Sequence, residues 1–253
     1  MNMKTVLLMV AVALALGNAA AMTVDEAKSF MTASRTRFLS AKSYCLEYTQ
    51  TAMGIPAESK CWIRRDAKKG VSVRNESQTK PFGFPMPKMT QLATGGKVYL
   101  ISALAPDKAL HLSFADGQVQ DDIFCSFFTE NGKVEPVSDT KDRCVIKFKP
   151  TAAELETMRV HAKASGGLIS NAVLPASFKY TFLKPSKDIK EIIGYNANGE
   201  ETLKIVISKL ELNAKVADSY FKLPEGCKIV DLKSAAEAAK ILAGGLLPAA
   251  TAK

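Results

Sequence analysis

The sequence predicts a mainly β fold with a few helices (α+β), laid out as a long antiparallel meander. Apolar side chains alternate with period two through Phe178, Tyr180 and Phe182, and again through Leu203, Ile205 and Ile207. Turn residues such as Asn196-Ala197-Asn198-Gly199 separate the alternating runs, as a hairpin requires. Helical spacing occurs only in short stretches, the first two opened by a capping signal.

Residues 1–21 carry one charged side chain, Lys4, then the apolar run Val6 to Leu16, then Asn18-Ala19-Ala20-Ala21. The apolar core is about half of the roughly 20 residues a membrane span needs, and small residues at Ala19 and Ala21 suit a cut before Met22. A cleavable export signal over 1–21 is therefore expected. No cysteine follows the cut, so lipid attachment to a new amino-terminal Cys is not indicated. Removing 21 of 253 residues leaves 232, which fit one domain over 22–243 with a flexible Gly, Ala and Pro tail over 244–253.

The formal charge of +9 falls to about +8 without Lys4, and its basic residues are scattered. Mild attraction to anionic membrane surfaces follows; a nucleic-acid groove has no support. Five cysteines, Cys45, Cys61, Cys125, Cys144 and Cys227, fit an oxidising compartment, their odd number leaving one thiol free or paired with another chain. With two histidines and no Cys-x-x-Cys, neither a thioredoxin-like centre nor a Cys/His zinc site is indicated, and no cofactor is implied.

Thr23 and Glu26 form a capping-box pair, and Val24, Ala27, Phe30, Met31, Ser34 and Phe38 recur at helical spacing to about residue 39. From Lys42 to Thr51 the period becomes two. A turn around Met53-Gly54-Ile55-Pro56 and a strand over Lys60 to Arg65 make a hairpin, in which Cys45 opposite Cys61 is the preferred disulfide. A third strand runs near Val71 to Ser77. The prolines of Pro81 to Met89 exclude a central strand; with Phe82 and Phe84 this loop reads either as an apolar flap over a cavity or as a plug at one end of the core.

Strands are expected over Lys97 to Ser102, Ala109 to Phe114 and Arg143 to Lys149; Ile123 to Phe128 is strand or short helix. Cys144 has two candidate partners, Cys125 and Cys227. Thr151 and Glu154 cap a second helix before Gly166-Gly167. Strands follow over Phe178 to Phe182, Ile189 to Tyr195 and Leu203 onward, with a phase change or bulge near Ser208. Asp231 to Ala243 reads as a closing helix.

Four segments in this order resemble the periplasmic outer-membrane lipoprotein-sorting (LolA-like) carriers: Phe38 to Thr51; Cys61-Trp62-Ile63-Arg64-Arg65; Gly95-Gly96-Lys97-Val98-Tyr99; and Asp218 to Val230, with its terminal aromatic and Pro224-Glu225-Gly226. The resemblance implies a periplasmic, monomeric protein: a curved, unclosed half-barrel sheet whose apolar concave face is covered by a helical lid. It implies a cavity that takes the acyl chains of a lipoprotein or lipid, received from an inner-membrane release complex and passed to an outer-membrane acceptor. It places the lid-latching arginine at Arg65, although Asp66 stands where the family usually has proline. A homologue binding another lipid, or sensing envelope lipoproteins, fits the same resemblance.

In such a cavity the expected lining is Leu46, Tyr48, Trp62, Phe178, Tyr180, Leu203 and Ile205, with Phe30, Phe38 and Phe84 on the covering elements. The other readings are an envelope sensor or protein-interaction module without cargo, and an enzyme. Only His111 and His161 are available as conventional bases, and neither stands in a nucleophile-elbow or metalloprotease motif.

Overall fold

A computed structural model of the protein describes residues 22–67, 70–113, 131–164, 174–234 and 237. The export segment 1–21, Cys125, the Ile123 to Phe128 segment and the tail lie outside the described residues. Helix α1 (Val24–Ser40) starts at the expected capping box: Thr23 N–H donates to Glu26 Oε2 at 2.7 Å and Glu26 N–H to Thr23 Oγ1 at 3.2 Å. A second helix, α2 (Ala152–Ala164), opens on the same device at Thr151 and Glu154.

Twelve strands follow chain order: β1 (Ser43–Ala52), β2 (Ile55–Asp66), β3 (Gly70–Thr79), β4 (Met89–Thr94), β5 (Lys97–Ser102), β6 (Lys108–Leu112), β7 (Lys133–Asp139), β8 (Arg143–Lys149), β9 (Ser177–Leu183), β10 (Asp188–Tyr195), β11 (Glu201–Leu212) and β12 (Lys228–Leu232). They form one sheet in the order β12-β6-β5-β4-β3-β2-β1-β11-β10-β9-β8-β7. Strands β12 and β7 are its two edges, so the curved sheet is unclosed. The expected mainly β, α+β class holds, and every neighbouring pair is antiparallel except β12 with β6. That exception has a topological cause: the chain leaves β11 in mid-sheet, crosses one face as a strap over 213–227, and enters the far edge from the other end.

Three strands, β4, β7 and β12, had no counterpart among the expected strands. β4 hides behind the proline-rich loop with only weak alternation, and β7 carries Pro136, which an edge strand tolerates because its outward N–H has no ladder partner to lose. The expected helix from Asp231 is corrected at its start, since Asp231 and Leu232 belong to β12. Pairing Ile229 with Ala109 and Leu232 with Leu112 supplies ladder bonds and buries Leu232, and this tertiary gain outweighs local propensity. The bulge expected near Ser208 is present: Glu47 pairs with Lys209 and Tyr48 with Ile207, while the skipped Ser208 donates its Oγ to Glu47 O at 3.0 Å.

The β1–β2 turn decides the cysteine question. Ala52 pairs with Ile55, so the loop is Met53-Gly54 alone, with φ +50° and +77°, the left-handed pair of a type I′ turn. A two-residue loop pairs odd-numbered with even-numbered positions, which sets Cys45 opposite Trp62 and Leu46 opposite Cys61. The expected Cys45–Cys61 contact is thus one residue out of register, and such a slip turns a side chain to the opposite face. Cys144 packs against the apolar cluster under α1 and Cys227 against the cluster under the strap, so these two do not meet either. Peptide mapping of the folded protein under non-reducing conditions is expected to yield no Cys45–Cys61 linked peptide; recovering one in quantity would overturn this register.

Each face of the sheet carries its own apolar layer. On the inner face Tyr44, Leu46, Tyr48, Ile63, Ile146, Phe148, Phe178, Tyr180, Phe182, Ile192, Leu203, Ile205 and Ile207 form one buried cluster with Ala27, Met31 and Phe38 of α1. On the outer face Leu92, Tyr99, Ile101 and Ala109 pack with Phe221 of the strap. The strap is fastened by the Arg64–Asp218 ion pair, by Arg64 over the Phe221 ring at 4.8 Å and by Trp62 against Tyr220 at 5.1 Å.

Candidate functional site

The inner face is where chemistry-poor but surface-rich side chains converge. Strand alternation points Phe178, Tyr180 and Phe182 the same way; their rings lie 5.9 and 6.0 Å apart in sequence order, a continuous aromatic row. Helix α1 lies over this row. Phe30 meets Phe182 edge-on at 5.4 Å and Phe38 meets Tyr44 edge-on at 5.7 Å, so the middle of the helix and its last turns rest on aromatic rings.

Polar ties between helix and sheet include those of Ser34, Arg37 and Arg65. Buried Ser34 donates its Oγ to Lys187 O at 2.7 Å, and Arg37 Nη1 meets Asp188 Oδ1 at 2.6 Å. Arg65 Nη1 donates to Phe38 O at 2.8 Å and Ala41 O at 2.7 Å, holding the carbonyl end of α1 with a cation where the helix dipole is negative. Its guanidinium also lies 5.5 Å from the Tyr44 ring centre.

The environment is low in polarity. Burial pushes the Tyr48 phenol up to about 12, and holds the Tyr180 phenol well above its ordinary range. Burial likewise pushes the Cys144 thiol up to about 11. Val73 of β3 packs against this cluster and against a second one made by Ala93, Val98, Leu112 and Leu232. The inner apolar face thereby runs on toward the β12 edge, while the contacts of α1 described above fall on β1, β2, β9 and β10.

Of the residues expected to line a cavity, Leu46, Tyr48, Phe178, Tyr180, Leu203 and Ile205 come together here, with Phe30 and Phe38 on the covering helix. Trp62 does not join them. Its pairing with Cys45 turns it to the outer face, where it packs beneath the strap with Lys60 Nζ 5.2 Å from its ring centre. Phe84 does not join them either: it is 75% exposed and Phe82 is 99% exposed, so neither ring plugs the core or covers the inner face.

Sequence reasoning omitted Phe182, Tyr44 and Ile207 from the lining, although each stands two positions from a residue it included. It also omitted the Arg37–Asp188 tie, which has no local signal because 151 positions separate the partners. His111 is a neighbour of the strap rather than of α1: buried on β6, its Nδ1 lies 2.6 Å from Asp231 Oδ1 and its ring 5.1 Å from that of Tyr99. Among the described residues no three His, Cys, Asp or Glu side chains stand close enough to hold a metal ion, and no helix is long and apolar enough to cross a membrane.

No family model matches the sequence, and no curated protein matches it. Three solved structures illustrate the likenesses found. An uncharacterised conserved protein from Thermus thermophilus is 6% identical, with a TM-score of 0.47 over 79% of this chain and 98% of that one. The MucA/MucB complex of Pseudomonas aeruginosa gives 12% identity and a TM-score of 0.47 over 82% of this chain and 64% of the matched one, less than two thirds of its length. A putative outer-membrane lipoprotein-sorting protein domain from Vibrio parahaemolyticus gives 9% identity and a TM-score of 0.39 over 79% and 97%.

Proposed function

We propose that this chain is an exported envelope protein that binds acyl chains of lipoproteins or lipids between its inner sheet face and helix α1, and carries them without covalent chemistry. The observation that supports the reading is the α1 interface itself: edge-on aromatic contacts at Phe30 and Phe38, with polar ties that include those of Ser34, Arg37 and Arg65. Separating two such surfaces exposes apolar area on both, and an acyl chain replaces the lost contact at about 0.8 kcal/mol per buried methylene. Tyr180 and Tyr48, buried on the inner face, present ring faces to such a guest. Arg65, by gripping the last turn of α1, serves as the fastening that loading and release must strain.

Native mass spectrometry of the protein purified from its own envelope fraction tests this. The expected result is a population carrying a bound acylated mass that is lost on mild organic extraction. A protein that emerges bare and takes up neither phospholipid nor acylated peptide in vitro would sink the proposal. A protein partner recovered by crosslinking in that case would assign the scaffold to interaction or sensing instead.

A further inference from the structure

Three turns at one end of the sheet are joined side by side. Lys80 N–H, in the β3–β4 loop, donates to Pro56 O beside the β1–β2 turn at 2.8 Å; Ala103 N–H, in the β5–β6 turn, donates to Lys88 O of the same loop at 2.9 Å. Each turn ends in apolar side chains that face solvent: Met53 (67% exposed) and Ile55, Phe82 and Phe84, and Leu104 (64%). Scattered exposed apolar residues need no explanation, but five on three bonded turns form a patch.

The loop that carries the two rings is built to hold them outward. Phe82 has φ +53°, a left-handed backbone that a bulky non-glycine residue adopts only at a cost. Phe84 N–H donates to Pro81 O at 3.0 Å, Met86 N–H to Thr79 O at 2.8 Å, and Gln78 Nε2 to Met86 O at 3.0 Å. Pro81, Pro85 and Pro87 limit the remaining freedom.

The charge around the patch selects the partner. Residues 53–56, 80–88 and 103–108 hold three lysines, Lys80, Lys88 and Lys108, against the single carboxylate of Asp107. Glu58 pairs with Lys80 and Glu76 with Lys88 from the flanking strands, and Lys228 adds a further cation in register with Lys108. The β10–β11 turn at this end, with Glu200 and Glu201, stands on the other side of β1, because β11 pairs β1. Apolar tips with Lys108 and Lys228 on one flank match the headgroup and upper acyl layer of an anionic bilayer, which takes aromatic rings at the interface and attracts the lysines.

We infer that these three turns dock the protein, end on, to an anionic lipid surface through Phe82, Phe84, Met53, Ile55 and Leu104. The inference does not depend on cargo in the inner face, from which Phe82 and Phe84 are remote in contact.

The test is co-sedimentation of the full-length chain with vesicles of phosphatidylethanolamine and phosphatidylglycerol, and with vesicles of phosphatidylcholine. The Phe82→Ser/Phe84→Ser double variant is compared in the same chain, so that residues 1–21 contribute equally to both. Exposed rings carry no packing, and circular dichroism is expected to leave the two proteins indistinguishable. The expected result is a loss of partitioning of roughly tenfold or more in the double variant. Wild-type binding is also expected to be stronger on the anionic vesicles and to weaken with salt. A Phe84→Trp variant should show blue-shifted emission and quenching by brominated lipid when vesicles are added. Equal partitioning of wild type and double variant, or an unshifted Phe84→Trp spectrum, would overturn the inference. So would a wild-type dimer that the double variant abolishes without vesicle binding by either, which would assign the patch to a second copy of the chain.

Discussion

Replacing Phe182 with alanine is expected to destabilise the protein by about 3–5 kcal/mol, the range for removing a fully buried aromatic ring. The ring is completely buried, edge-on to Phe30 of the helix at 5.4 Å and 6.0 Å from Tyr180, and its backbone pairs with Cys144 and Ile189. Its removal therefore strips ring contacts from the helix and from the strand at once, while the backbone pairing stays. Against a typical total of about 5–15 kcal/mol, the urea midpoint should fall by about 1–3 M. A loss below about 1.5 kcal/mol would show that the ring is not clamped between helix and sheet. Under the carrier reading the void has a second consequence: added acyl lipid should restore part of the lost stability, because a ligand that binds only the folded state stabilises it. Unchanged stability with lipid would count against that reading while leaving the fold untouched.

Arg65→Met should cost about 2–3 kcal/mol and act locally. Two charge-assisted hydrogen bonds to Phe38 O and Ala41 O are lost, along with the cation beside the Tyr44 ring. Hydrogen exchange over residues 35–41 should accelerate before global unfolding. The adjacent Arg64→Met makes the control, because strand alternation sends Arg64 to the outer face, where its partner Asp218 is largely exposed. That variant should cost about 1 kcal/mol and leave exchange in α1 unchanged. Equal effects of the two substitutions on α1 would remove Arg65 from its role as the helix fastening.

Much of this arrangement was legible in the sequence because short-range patterns encode it. The capping pairs Thr23/Glu26 and Thr151/Glu154 each begin a helix, the alternation in Phe178 to Phe182 and Leu203 to Ile207 marks inward faces, and the phase change at Ser208 marks a bulge. What alternation cannot supply is the parity between strands. Setting Cys45 opposite Cys61 needs a loop of odd length, and the two-residue Met53-Gly54 turn has the other parity, which puts both Cys61 and Trp62 on faces other than those expected. Relations across long separations were also invisible. The strap, the parallel β12–β6 pair and the Arg37–Asp188 tie join segments between 119 and 171 positions apart, and no local period reports them.

The strap over 213–227 gives the sheet a mechanical backing on the side away from α1. Ser43 Oγ donates to Ala214 O at 2.6 Å at its start, Phe221 is buried midway, and Lys228 N–H donates to Asp107 O at 2.7 Å at its end. Under the carrier reading, yielding of α1 and stiffness of the sheet fall to different segments, so substitutions that free the helix are expected to leave the sheet's backing intact.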